Sequence, residues 1–400
     1  MGWETPSSKG PLAGIKIVDV TTVVFGPFAT QIFGDLGADV IKIEHGVGDV
    51  MRHAGKSPAK GLGPIYLNLN RNKRSLKLDL SKPAAKKALQ RLVQGADVFF
   101  HNVRDAGIKR LGFGYEDVKA LNPDIVYVHC CGYGAGGAYE GRQAYDDLVQ
   151  AACGLAGLLP ERDKGDPQYL PTLIADKTAG LYAVYATLAA LFHRQRTGTG
   201  QFVEVPMLEA ATHLNMVENL YGLTFDPPRG SVAYSRSINP RRKPYKTKDG
   251  FIAIVPYSDD EWKIFFELGG RPGVFEEERF RTYKQRTEHI GELYAIIEEV
   301  ALTKTTEEWL AELHAANVPV MRYNELGSVM DDPHLKSVEL FERRDHPEAG
   351  PYHAIRHPVS FSATPAEIRN DARPIGADTK DILQDLGLDA AEIDEILGAH

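Results

Sequence analysis

Five short apolar runs, at residues 15–20, 40–44, 76–80, 98–102 and 125–131, alternate with segments of helical spacing at 29–36, 84–94 and 115–121. Most of the runs are nearly continuous apolar strings, the pattern of strands covered on both faces. Strand, helix and strand in repetition predict a doubly wound, mostly parallel Rossmann-like α/β sheet. Such sheets take ligands beyond the carboxyl ends of their strands. That rule points to residues 21–26, 45–49, 102–107 and 132–137.

Further along, Leu181, Val184, Tyr185, Leu188, Leu191 and Phe192 recur at three and four residues and predict a helix from about residue 177 to 193 with that stripe against a core. Asp176 stands where this helix begins. One reading makes it an N-cap, its oxygen accepting a first-turn backbone N–H. The other makes it a nucleophile, kept ionised by the positive end of the helix dipole in a pocket that excludes water. The chain changes character near Asp226-Pro227-Pro228-Arg229-Gly230. Beyond it, Asp249-Gly250 between apolar stretches signals a β-hairpin, and amphipathic segments follow at 261–268, 290–301 and 306–316. The expected organisation is a large α/β domain begun by residues 1–225, a smaller α+β domain at 226–330, and a return segment, 331–400, that completes the large domain and ends in an acidic helix at 390–397.

At 400 residues the chain exceeds what one core usually organises. A net charge of −8 gives no general basic field and argues against nucleic acid as a partner. Cys130, Cys131 and Cys153 show no CxxC spacing, and no His/Cys ligand cluster is visible among the 13 histidines, so no metal is expected. The opening MGWETPSSKGPLAG lacks an apolar h-region and the apolar run 180–192 is too short to span a bilayer; the expectation is a soluble cytoplasmic protein without a membrane partner. Three stretches offer chemistry. The loop Gly132-Tyr133-Gly134-Ala135-Gly136-Gly137 follows a strand as a phosphate cradle would, but without GxGxxG spacing or a Walker lysine a tight surface turn is the preferred reading. Arg104, Lys109 and Arg110 beyond a strand end suit a phosphate or a solvated helix face. Tyr145-Asp146-Asp147 pairs two carboxylates, one of them a candidate helix cap.

Taken in order, Pro11 to Asp19, Gly26-Pro27, Leu36 to Glu44, Gly48-Asp49 with Arg52, Asn72-Lys73-Arg74-Ser75, Ala144-Tyr145-Asp146, Gly154-Leu155, Asp176 with Gly180, Arg196 to Gln201, Phe361 to Pro365 and Ile375 to Thr379 resemble the class III CoA-transferases, with the related 2-methylacyl-CoA racemases. The resemblance runs over nearly the whole chain. It implies that Asp176 is the nucleophile, forming a mixed anhydride with the donor acyl group and then an aspartyl-CoA thioester. It also implies a CoA groove at Val24, Phe25, Leu78, Asn102, Val103, Arg104, Arg110, Gly132 and Tyr133, with the two arginines on phosphates. CoA and acyl-CoA are then substrates and no cofactor is bound permanently. Small carboxylic acids are the other partners, succinyl-CoA is a plausible donor, and an interlocked homodimer is implied.

Formyl-CoA transferases carry arginine, glutamine and lysine where His45, Val24 and Cys131 stand, and their glycine-rich active-site loop has no counterpart at residues 239–245, so formyl or oxalyl transfer is not expected. Racemases of the family use a histidine where Tyr145 stands. A phenol of pKa about 10 is a poor base at neutral pH. Transfer is therefore the leading reading, with 2-methylacyl-CoA racemisation or epimerisation as the alternative and a non-catalytic CoA- or nucleotide-binding protein as the second. Arg142, near the expected mouth of the site, is either a clamp for a second acceptor carboxylate or an exposed loop residue.

Overall fold

The computed structural model describes residues 8–398. Its contacts separate two compact units, one made of Met1–Leu155, Tyr169–Asn215 and Lys336–His400, the other of Ala156–Gln168 and Met216–Leu335.

The first unit is built on a six-stranded parallel sheet, β1 (Lys16–Val20), β2 (Asp39–Glu44), β3 (Lys73–Lys77), β4 (Val98–His101), β5 (Val126–Cys131) and β6 (Phe202–Pro206), in the order β3-β2-β1-β4-β5-β6. The order reverses between β1 and β4, where an open sheet of this type forms its ligand crevice. Helices α1 (Phe25–Asp35), α2 (Pro64–Leu69), α3 (Pro83–Gly95), α4 (Asp105–Leu111), α5 (Tyr115–Leu121) and α6 (Asp146–Ala152) precede a long helix, Ile174–Thr197. One face of the sheet is apolar, with Val18, Ile41, Ile43, Leu76, Phe99 and Tyr127 packed with Leu89, Leu92 and Val118. Ile382, Leu383 and Ile393 of the C-terminal helices Thr379–Asp385 and Ala390–Leu397 join the same core. A hairpin, Phe341–His346 with Gly350–Ile355, has no counterpart among the elements expected from the sequence.

Two expectations need correction, and one strand was missed. The third strand begins at Lys73, three residues before the predicted run 76–80. Its polar start is tolerated because each side chain finds a partner: Lys73 pairs with Asp19 at 3.1 Å, Arg74 with Asp39 at 2.6 Å, and the Ser75 hydroxyl donates to Glu44 at 2.9 Å. β6 was not among the expected strands: Glu204 interrupts its short run of apolar residues, and it lies at the edge of the sheet. The long helix buries Ala175, Ala179, Ala183, Thr187 and Ala190, whereas Leu181, Tyr185 and Phe192 of the predicted core stripe are 53%, 57% and 60% exposed. Small residues let this helix approach α1 closely; a Cβ on Gly180 would lie 2.9 Å from the Phe28 ring and 3.1 Å from the Phe25 carbonyl oxygen.

The second unit holds a three-stranded antiparallel sheet, Tyr245–Lys246, Phe251–Ile254 and Val320–Arg322, whose first pair is the hairpin around Asp249-Gly250. Helices Asp259–Leu268, Ile290–Ala301 and Thr306–Ala315 cover a core of Trp262, Phe265, Phe266, Leu293, Trp309 and Leu313. Capping boxes, Ser258 with Glu261 and Thr305 with Glu308, start the first and last of these helices.

Candidate active site

Asp176 is the third residue of the long helix, not its cap; the cap position is Leu173, which offers no side-chain acceptor. The first-turn amide of Asp176 is instead satisfied from outside, donating to Asp146 Oδ2 at 3.0 Å. Asp146 opens α6, and its Oδ1 accepts from Gln150 Nε2 at 2.6 Å, one turn along the same helix. Gln150 also donates to the Thr172 carbonyl at 3.2 Å and accepts from the Leu170 amide at 2.9 Å. Asp146 and Gln150 thereby fix the chain entering the long helix, and with it the place of the Asp176 carboxylate.

Asp176 is buried, at 8% exposure. Burial, reinforced by the charge of Asp146, pushes its pKa up to about 7, against a hydrogen bond from the Phe25 backbone that pulls it down. The reading in which the helix dipole keeps the group ionised left out this burial, which favours the acid form. A group poised in this way suits chemistry at pH 7.

The Phe25 amide is aimed by an unusual turn after β1. Val23 has a φ of 74°, a region that a β-branched residue enters only under strain. The turn is held on several sides. The Val23 amide donates to Asp49 at 3.2 Å, and Lys42 Nζ bridges the Thr21 carbonyl at 2.8 Å and Asp49 at 3.1 Å. Asn102 grips Thr22 twice, accepting from its amide at 3.0 Å and donating to its carbonyl at 2.8 Å. Asp49 is itself seated by its amide on Glu44 at 3.0 Å, and Arg52 locks Glu44 at 2.7 and 2.5 Å. Many of the residues that carry the family resemblance thus hold one strained turn.

Apart from Arg110, which lies in the last turn of α4, the expected CoA-groove residues fall at or just beyond the carboxyl ends of four strands. Val24 and Phe25 follow β1 and are buried; Leu78 follows β3, its amide on the Glu44 carbonyl at 2.8 Å. Asn102 and Val103 follow β4, and Arg104 is the N-cap of α4. Arg104 and Arg110 are exposed and form no ion pair among the described residues. Gly132 follows β5 so close to Ala144 that a Cβ would lie 2.2 Å from the alanine's own Cβ. Tyr133 stacks edge-on against Tyr139, with ring centroids 5.5 Å apart.

The glycine loop is not a free phosphate cradle. Three successive amides, of Gly134, Ala135 and Gly136, donate to Glu209, Glu204 and Glu140 at 2.9, 2.9 and 2.8 Å. Carboxylates already fill the concavity that an anion would use. Tyr145 is 61% exposed, and exposed Arg142 lies over the Tyr139 ring at 4.7 Å. The sequence shows no ligand cluster, but the register pairing His129 with Glu204 brings these two together with Cys131. Neither Asp146 as partner of Asp176 nor Gln150 was anticipated; the acidic pair before a short apolar segment was the available signal.

A model of CoA-transferase family III matches residues 12–379. An acyl-CoA transferase from Fusarium pseudograminearum is 32% identical over 402 residues, covering 97% of this chain and 87% of that protein. A succinyl-CoA:glutarate CoA-transferase from Homo sapiens is 31% identical, covering 97% of this chain and 89% of its own length. The crystal structure of Rv3272 from Mycobacterium tuberculosis in its orthorhombic form superposes with a TM-score of 0.80 at 29% identity, covering 93% of this chain and 98% of that one.

Proposed function

The chain belongs to CoA-transferase family III and is an enzyme acting on CoA thioesters, and on that premise we propose that Asp176 is its covalent nucleophile. The observation that carries the proposal is a buried carboxylate of pKa about 7, set between Asp146 and the Phe25 amide. In its ionised form Asp176 attacks the thioester carbonyl of the donor. The carbon–sulfur bond breaks, leaving a mixed anhydride and CoA thiolate. The thiolate then attacks the aspartyl carbonyl, releasing the donor acid as its carboxylate and forming an aspartyl-CoA thioester. The acceptor carboxylate repeats the two steps in reverse order, departs as the new acyl-CoA and regenerates the Asp176 carboxylate.

The Phe25 amide, at the positive end of α1, stabilises oxyanions formed at the aspartyl carbon. Exclusion of water from the pocket protects the anhydride. Val24, Phe25, Leu78, Asn102, Val103, Arg104, Arg110, Gly132 and Tyr133 line the CoA groove in this reading, supported by the position of all but Arg110 near the strand ends and by two exposed arginines without an ion-pair partner among the described residues. The donor is a small dicarboxyl-CoA such as succinyl-CoA, in line with the activity named for the Homo sapiens relative. A homodimer is part of the proposal, and the exposed Leu181, Tyr185 and Phe192 of the long helix supply an apolar face for it. Exposed Tyr145 offers no support for α-proton abstraction.

The test is chemical trapping. Borohydride reduction during turnover with succinyl-CoA should convert residue 176 to homoserine, located by peptide mass. Asp176→Ala should bind CoA and lose transfer, and unchanged turnover would reject the nucleophile.

A further inference from the structure

β5 and β6 pair in parallel with His129 beside Glu204. Cys131 lies two residues beyond His129 and so on the same face of β5. The donor atoms of the three side chains lie within 4.8 Å of one another. We propose that His129, Cys131 and Glu204 form a binding site for a thiophilic divalent cation, Zn²⁺ in the first instance.

The donor set is one nitrogen, one sulfur and one oxygen, the mixture that tetrahedral zinc accepts at bond lengths of about 2.0–2.3 Å. Those lengths set neighbouring donors about 3.3–3.8 Å apart, so closure needs side-chain rotation of roughly an ångström and no strand movement. Water completes the fourth position. Glu204 holds the Ala135 amide with Oε1, which leaves its other oxygen for the ion. His129 is kept in place by stacking on His101, ring centroids 4.6 Å apart and planes 8° from parallel. Access exists because Cys131 and Glu204 are only half-buried, while Cys130 and Cys153 are buried.

The ion would tie the edge strand β6 to β5, across the pair that closes the sheet on that side. On binding, the Cys131 thiol gives its proton to solvent and its sulfur to the metal, so affinity rises with pH.

The experiment is titration of the purified full chain with Co²⁺, which reports thiolate ligation through a near-ultraviolet charge-transfer band, followed by displacement with Zn²⁺. The band should appear at one equivalent, vanish in Cys131→Ser and be bleached by Zn²⁺. Glu204→Gln, which keeps an acceptor for the Ala135 amide, should weaken Co²⁺ affinity by about tenfold or more. A missing band, a band retained in Cys131→Ser, or unchanged affinity in Glu204→Gln would each overturn the site.

Discussion

Asp176 should destabilise the protein that depends on it. In an unfolded chain its carboxyl titrates near about 3.9, whereas in the fold it titrates at about 7. Between those values the native state binds more protons than the unfolded state, so stability falls as pH rises through the window. The window is about three pH units wide, and at about 1.36 kcal/mol per unit the loss, complete above pH 7, has an upper bound of about 4 kcal/mol. Asn in the same place does not titrate. Asp176→Asn should therefore match the wild type near pH 4 and exceed it by about 2–4 kcal/mol at pH 8. Urea unfolding of both proteins at a series of pH values measures the gap. A gap independent of pH, or an Asn variant less stable than wild type at pH 8, would refute the assignment of the strain to an ionised, desolvated carboxylate.

Three further outcomes follow from the same geometry. The kcat/KM for acyl-CoA should rise with pH through about 7 as Asp176 ionises, and Asp146→Asn, which removes the neighbouring charge but keeps an acceptor for the Asp176 amide, should move that inflection to lower pH; an unmoved profile would separate the two carboxylates. Arg104→Ala and Arg110→Ala should each raise KM by the equivalent of about 1.5–3 kcal/mol, a charged hydrogen bond, and have no effect on a pantetheine thioester lacking the nucleotide; equal losses on both substrates would remove the phosphate role. Gly180→Ala adds a helix-favouring residue yet collides with Phe28 and the Phe25 carbonyl, so kcat should drop by parting Phe25 from Asp176; full activity would show that this contact is not needed.

The parallel sheet was legible because four of its strands announce themselves as apolar runs and because chirality and connection rules leave few ways to join them. β3 was displaced in the reading because its polar start, Lys73-Arg74-Ser75, is matched by acids from β1 and β2 that are far away in sequence. The long helix shows a different limit. Its period is correct, but periodicity identifies two opposite faces without saying which is buried, and a close approach to α1 selects the face of small residues. At the candidate site, Asp176 drew attention as a carboxylate at a helix start, and the resemblance, not its local sequence, gave it a catalytic role. Its raised pKa was not legible, since that depends on burial and on Asp146, thirty residues earlier, becoming its neighbour. The loop Gly132–Gly137 misled because the sequence displays its donors and hides the glutamates that occupy them.

The two faces of the large sheet resist acid unequally. Val18, Ile41, Ile43 and Leu76 look out on hydrocarbon, while Asp19, Lys42, Glu44 and Lys73 on the reverse of the same strands form a buried ionic lattice beside α1. Burial pushes the Asp19 carboxyl up, but Lys73 and Lys42 outweigh it and hold the group below its ordinary value; Glu44 is likewise lowered, with Arg52 offsetting its burial. Carboxylates of that kind lend stability above their unfolded pKa and withdraw it as pH falls through the folded one. Acid below the ordinary carboxylate range therefore loosens one side only. It frees residues 45–53 and the Val23 turn, whose amide hydrogens should exchange early, while the hydrocarbon side and its helices keep their protection. Loss of activity in acid should then begin as a local melting around the Val23 turn and reverse when the lattice recharges.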